Sequence, residues 1–499
     1  MDQIYRTRAN FEFCQKNAIR ISGPKLVRPS SDAKANKKEV ETMAKDRADR
    51  IEIECCFSVA KRRNGMGLIS KKRTDTSLFT IGLAEKGNNV SVKNFFSVKI
   101  KKIFIDEVWC FAGLTLMNVV AQFVVYPFWD YFFGSEGYGN IIYLMAILNT
   151  IAISIGSGIN YARIQNSIGK ETGNRLYLLL MIISTVIAVV VLFLLYVTGF
   201  LYLDDNTFIL FCVLTIATMW RYYADIEFRL HVNYKGFFLY YFIISIGYLI
   251  GALIFFFTKL WPLTLLPGEL MGLLYVIGKG SVFGKRKDED VEEFYPVFKL
   301  SFLLVTSTLL SHLIFNGDKM ILRVFMGDTA VTFFYIASLF GKAMTLLSTS
   351  LNGVLIGHLA KYNGKLTYKF MQRVVLISLV AIILSSIICN YVSHVILPFL
   401  YPTEFEKIKQ YLLVANAAQI VYFIGNILQV TVLLRFTNPS NQLFVDMTHG
   451  IFFLAACIPV AKFFDLSVFC WCLMCVNAFR FILCIVIGYK SVARETSKV

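Results

Sequence analysis

From residue 105 onward the chain is a train of about twelve apolar stretches, each close to the roughly 20 residues that a helix needs to cross a hydrocarbon layer. They fall near 105–128, 139–160, 176–197, 207–225, 237–258, 264–283, 297–316, 329–358, 371–397, 409–433, 442–463 and 467–489. Lipid offers no partner to a backbone N–H or C=O, so such runs must satisfy their own polar groups as helices. The fold class implied is all-α: a polytopic membrane protein of about 12 transmembrane helices. A hydrophobic fraction of 56% and a mean hydropathy of +0.60 over 499 residues exclude a soluble globule.

Basic residues set the orientation. With the N-terminus inside, nineteen of the Lys and Arg after residue 104 fall in cytoplasmic connectors. Only six, Lys259, Lys319, Arg323, Lys407, Lys409 and Lys462, fall in outward ones. An even number of spans returns the C-terminus to the cytoplasm. The formal charge of +17 is unevenly divided, since residues 1–104 hold 23 Lys and Arg against 11 Asp and Glu. The excess in the remainder is the positive-inside asymmetry, so no nucleic-acid partner is expected.

The domain plan has five parts. Residues 1–104 are a basic cytoplasmic tail, whose polar and aperiodic text (KANKKEVETMAKDRADR, KRRNGMGLISKKRTD) favours disorder or a membrane-surface arm over a packed domain. Residues 105–287 form a first six-helix bundle, 288–296 a charged cytoplasmic linker, 297–490 a second six-helix bundle and 491–499 a short cytoplasmic tail. The first 104 residues hold no apolar run long enough for a cleavable signal, so the first span directs insertion.

Enzyme chemistry finds little support. The outward connectors carry no paired carboxylates and no His/Asp constellation, and they are too short for a catalytic loop. No G-x-x-x-x-G-K-[ST] loop is present, so transport, if any, is secondary or facilitated. His231, His312, His358, His394 and His449 are scattered over separate helices, as satisfied polar groups are. Cys470 and Cys472 point about 200° apart on one helix, which argues against a metal cluster with Cys475; no cofactor is expected.

Ionisable groups inside the layer are the informative ones. Lys342 sits near the middle of the eighth span and Arg480 near the middle of the twelfth; each costs about 2.5–3.5 kcal/mol at the bilayer centre, so neither faces lipid. They can meet a phosphate or acidic sugar in a cavity, or be neutralised internally, and Arg480 has Asp446 within reach for that. Asn118 and Asn149 are candidate cavity amides, with Gln122, Asn352, Asn416 and Gln419. Glu269, just after the Leu266-Pro267-Gly268 break, is the candidate coupling carboxylate for a proton or Na+, or else an interfacial residue at the outer surface. Gly247-x-x-x-Gly251 and Gly353-x-x-x-Gly357 mark close helix packing.

Three segments resemble a known family. Met117 to Ile164, with Gly134, Gly137 and Gly139 at the outer turn, Gly156 to Gly158, and Asn160 with Arg163, is similar to the opening helices of bacterial polysaccharide flippases of the O-antigen (Wzx) type. Met219 to Tyr241 resembles their fourth-to-fifth connector, and NGDKMILRVFMGDTAVTFFYIAS, Asn316 to Ser338, their seventh-to-eighth segment. The 104-residue basic tail departs from the family pattern. The resemblance implies the multidrug/oligosaccharidyl-lipid/polysaccharide exporter superfamily, with two six-helix bundles around a cavity in a bacterial cytoplasmic membrane. It also implies a polyprenyl-diphosphate-linked oligosaccharide as substrate, membrane lipids as surroundings, and polysaccharide polymerase or export machinery as partners. Arg163 and Arg229, with Lys342 and Arg480, are then where the diphosphate headgroup would be met, unless the first two only set topology.

Two other readings stand beside it. A drug or cation antiporter of the same superfamily should place carboxylates, not Lys and Arg, at the centre of the first bundle. A membrane polysaccharide polymerase needs a sizeable outward loop. A major-facilitator transporter is disfavoured, since YARIQNSIGKETGNR lacks that family's Asp-Arg-x-Gly-Arg signature.

Overall fold

Helix follows helix along the whole described chain. The computed structural model describes residues 92 to 496, apart from 168–172, 232, 285–293, 345–366, 435–436 and 438. The basic tail up to residue 91, most of the charged linker, Asn352, His358 and Gly353-x-x-x-Gly357 lie outside these residues. The chain divides into the units Met1–Phe104 and Ile105–Val499, and the second holds the spans.

The first span is α1 (Val92–Val120), continued through a π turn at Ala121–Val125 into α2 (Tyr126–Asn166). α2 holds the end of the first span and all of the second, because the chain bends at Gly134. There φ is +67° and ψ −178°, a region only glycine enters without strain. α3 (Arg175–Val197), α4 (Asp205–Ala224), the short α5 (Ile226–Leu230), α6 (Tyr234–Thr258) and α7 (Leu266–Lys279) complete the first half. α8 (Phe294–Met326), α9 (Asp328–Ala337), α10 (Tyr368–Leu400), the single turn α11 (Phe405–Ile408), α12 (Leu412–Leu428), α13 (Pro439–Phe463) and α14 (Leu466–Thr496) make up the other. Residues 339–344 carry the eighth span on from α9. Among the described residues, nine segments are long and apolar enough to cross a membrane, the kinked Val108–Asn166 counting once. The protein is an all-α, multi-pass membrane protein.

Helix starts are chemically marked. Asp204, Asn233, Thr367 and Asp465 each accept a hydrogen bond from a first-turn N–H, satisfying a donor that lipid cannot.

Two packing features place the site. The first is α2, whose second part runs against α8 and α9 of the other half. Thr308 Oγ1 donates to the Ser154 carbonyl (2.9 Å), Asn316 Nδ2 to Thr150 Oγ1 (3.2 Å) and Thr332 Oγ1 to the Ser135 carbonyl (2.5 Å). Gly139 and Gly158 allow the approach, since a Cβ would strike the Asp328 carbonyl at one and Val305 at the other.

The second feature is α7, only 14 residues long, entered through a 3-10 turn at Trp261–Thr264. At 1.5 Å per residue it spans about 21 Å, short of the roughly 30 Å hydrocarbon thickness. It starts inside the layer because Gly247 and Gly251 of α6 let the chain lie directly on them. A Cβ at Gly247 would meet Gly268, and one at Gly251 the Thr264 carbonyl. Gly251→Ala is expected to cost about 1–3 kcal/mol by overpacking, read as a lowered thermal midpoint of the purified protein.

Candidate functional site

The short α7 carries Glu269 in its first turn, at the level of Tyr248 on α6. Tyr248 lies about 21 Å along α6 from its cytoplasmic start, so Glu269 is well inside the layer. It is 2% exposed, not an outer-surface residue. Arg221 of α4 reaches it, Nε to Oε2 at 2.6 Å, and the Tyr248 hydroxyl donates to Oε1 at 2.5 Å. The guanidinium lies 3.8 Å over the Tyr222 ring. The helix N-terminus adds its positive end to the same carboxylate.

α8 brings a second set. The apolar run of the seventh span ends at residue 316, yet the helix continues to Met326 and stops at Gly327 (φ +86°). Lys319, expected in an outward connector, and Asp318 beside it are therefore buried helical residues. Lys342 Nζ donates to Asp318 Oδ2 at 2.6 Å, and the Lys319 backbone N–H to Oδ1 at 2.8 Å. Lys319 Nζ donates to Asn316 Oδ1 at 2.8 Å and, among the described residues, forms no ion pair of its own. Asp318 thus takes the Lys342 ammonium and the Lys319 backbone N–H, while the Lys319 side chain is held by an amide.

These sets face a common cavity of about 300 Å³. Its polar lining includes Asn118, Gln122, Asn149, Arg221, Glu269 and His312, together with Asn316, Lys319 and Lys342. Tyr126, Tyr222, Tyr248, Phe315 and Tyr335 supply aromatic walls. The π turn at Ala121–Val125 lies at this depth, as π turns often do at functional sites. Residues from both halves of the chain enclose the cavity, with three basic groups and one acidic group among its described lining.

Of the residues singled out from sequence, Lys342, Asn118, Asn149 and Glu269 are brought together here. Arg480 is elsewhere: its Nη2 donates to Gln429 Oε1 (2.6 Å) and Asp446 Oδ1 (3.1 Å), and its guanidinium covers the Tyr422 ring. Arg163 is fully buried; Nη1 donates to the Tyr223 hydroxyl (3.0 Å) and Nη2 to Asn174 Oδ1, so it offers no surface to an incoming headgroup in this conformation. Arg229 is partly exposed and pairs with Asp225 at 3.1 Å. Asn416 binds the Gly341 N–H (2.6 Å) and Ser393 (3.1 Å), a helix-to-helix role.

Arg221, Lys319 and Asn316 are site residues that the sequence does not single out. Arg221 closes the fourth span, where a basic residue reads as a topology determinant. Asn316 and Lys319 straddle the end of an apolar run, where polar residues read as a connector. Continued apolar spacing through Met320, Ile321 and Val324 is the signal that the helix goes on.

The chain is similar in structure to an inward-facing multidrug resistance MATE family transporter of the MOP superfamily, at TM-score 0.57 and 12% identity over 77% of this chain and 95% of that one. It is similar to a MATE protein in complex with MaD3S (TM-score 0.54, 12% identity, 78% and 95% covered). The bent form of the Vibrio cholerae MATE transporter VcmN matches at TM-score 0.51, with 14% identity and 80% and 98% covered. At such identities the likeness is one of fold. A family model described as a transposase DDE domain matches residues 1–85, outside the described residues. No curated protein matches the chain.

Glu269→Gln, which strands the Arg221 charge, is expected to cost about 3–5 kcal/mol. The double variant Arg221→Met, Glu269→Leu removes both charges and should restore the midpoint in thermal unfolding.

Proposed function

We propose that the protein is a secondary transporter that carries a polyprenyl-diphosphate-linked oligosaccharide across a bacterial cytoplasmic membrane by alternating access. The observation that carries the reading is the lysine pair. Lys342 pairs with Asp318 while Lys319 Nζ is bonded to the Asn316 amide oxygen, so among the described residues the cavity holds a lysine with no ion pair of its own. A buried uncompensated cation is costly, and an entering diphosphate supplies the missing charge through charge-assisted hydrogen bonds.

The amides fit the sugar side of such a ligand. Asn118, Gln122 and Asn149 offer donors and acceptors to hydroxyls, and the tyrosines offer faces to sugar rings. A volume of about 300 Å³ lies at the small end of ligand sites. It suits the headgroup and its first sugar, with the prenyl chain left in lipid. Arg229, an exposed cation near the cytoplasmic ends, is the group proposed to meet the headgroup first.

The fold is shared with multidrug transporters, so a drug antiporter is the competing reading. An organic cation would enter a lining of three basic groups and one acid already held by Arg221, which disfavours it. For the same reason Glu269 can act as a coupling acid only if the pair with Arg221 opens.

The test is flipping of a fluorescent polyprenyl-diphosphate oligosaccharide in proteoliposomes. Lys319→Gln and Lys342→Ala are each expected to slow it roughly 10- to 100-fold, the loss of one charged hydrogen bond, with normal purification behaviour. Unchanged flipping in both variants, or export of an organic cation with no flipping, would overturn the reading.

A further inference from the structure

Across the outer face of the protein the two halves are held by a small polar cluster that the cavity does not use. Ser135 Oγ donates to Glu404 Oε1 at 2.7 Å, and the Tyr138 and Tyr401 hydroxyls meet at 3.1 Å. Ser135 and Tyr138 open the second span; Tyr401 and Glu404 lie in the connector after α10. Beside them, at the outer end of the first span, is Asp130.

Asp130 is 5% exposed, and its Oδ1 is buried without a hydrogen-bond partner. The charged groups acting on it are Glu404 and Lys407, while Tyr401 is the neighbouring phenol. Glu404, 4% exposed, is already provided for by Ser135 and by Lys407 Nζ at 3.2 Å. Lys407 is thus bonded to Glu404, and among the described residues no hydrogen bond or ion pair reaches the Asp130 carboxyl on the other half. A buried carboxylate with no donor is costly.

We propose that Asp130 is a proton-binding site of the outer gate: the two halves close on this face only with a proton on the Asp130 carboxyl. The proton comes from external water as the halves meet, converting carboxylate to carboxylic acid. It returns to external water when they separate and hydrate the group. Glu404 keeps its hydrogen bonds from Ser135 and Lys407. Acid outside thus favours the outward-closed form, and base the outward-open form. This rests on the alternating-access part of the proposed function, not on the substrate.

The experiment reads distances and needs no glycan. Full-length protein in nanodiscs, with native cysteines replaced, carries spin labels at Tyr202→Cys and Phe464→Cys, exposed positions in outer connectors of the two halves. Pulsed dipolar spectroscopy at about pH 5 and about pH 8 is expected to show the short-to-long population ratio falling at least roughly tenfold in base. Asp130→Asn should keep the short distance at both pH values, and Asp130→Glu, which retains the carboxyl, should keep the response. Identical distributions at both pH values in the parent, or a full response in Asp130→Asn, would overturn the assignment while leaving the flipping assay untouched.

Discussion

A charge inside a membrane protein survives only beside its opposite, and this requirement arranges the interior. Arg221 with Glu269 and Lys342 with Asp318, both at 2.6 Å, each tie two spans of one half together. Both pairs border the same cavity through at least one partner. Arg480 and the part-exposed Asp446 make a third tie within the second half. The pairs sit on otherwise apolar helices, so the cavity keeps its polar edge while the exposed surface carries Leu, Ile, Val and Phe. Among the described residues Lys319 departs from this, its side chain held by an amide oxygen.

Most of the architecture is written in hydropathy, because a span has to be long and apolar whatever it packs against. Lys342 and Glu269 are legible the same way, as ionisable residues where lipid forbids them. Asp318, Lys319 and Arg221 are not, because their helices carry charge within a turn or two of the end of an apolar run, where a window of hydropathy reads a loop. Pairing is a three-dimensional property: nothing in the text of the fourth span says that its arginine meets an acid 48 positions later. Arg163 shows the converse. Its place at a cytoplasmic span end makes it a candidate for headgroup contact, yet it is a fully buried strut among Tyr223, Asn174 and the carbonyls that Asn174 binds.

The fold is that of the MATE transporters, whereas the polysaccharide-flippase resemblance rests on three short segments of sequence. The two are compatible, since one scaffold of paired bundles can serve cationic or anionic cargo according to which side chains line it.

The π turn at Ala121–Val125 accommodates one residue more than an α turn would. Loss of a single residue there would restore a regular helix and rotate everything on one side of it by about 100°. Asn118 and Tyr126 flank that turn and both reach the cavity, so they could no longer do so together. Which side chains share this wall is therefore encoded partly in chain length, and a one-codon deletion, with almost no change in composition or hydropathy, would re-sort them.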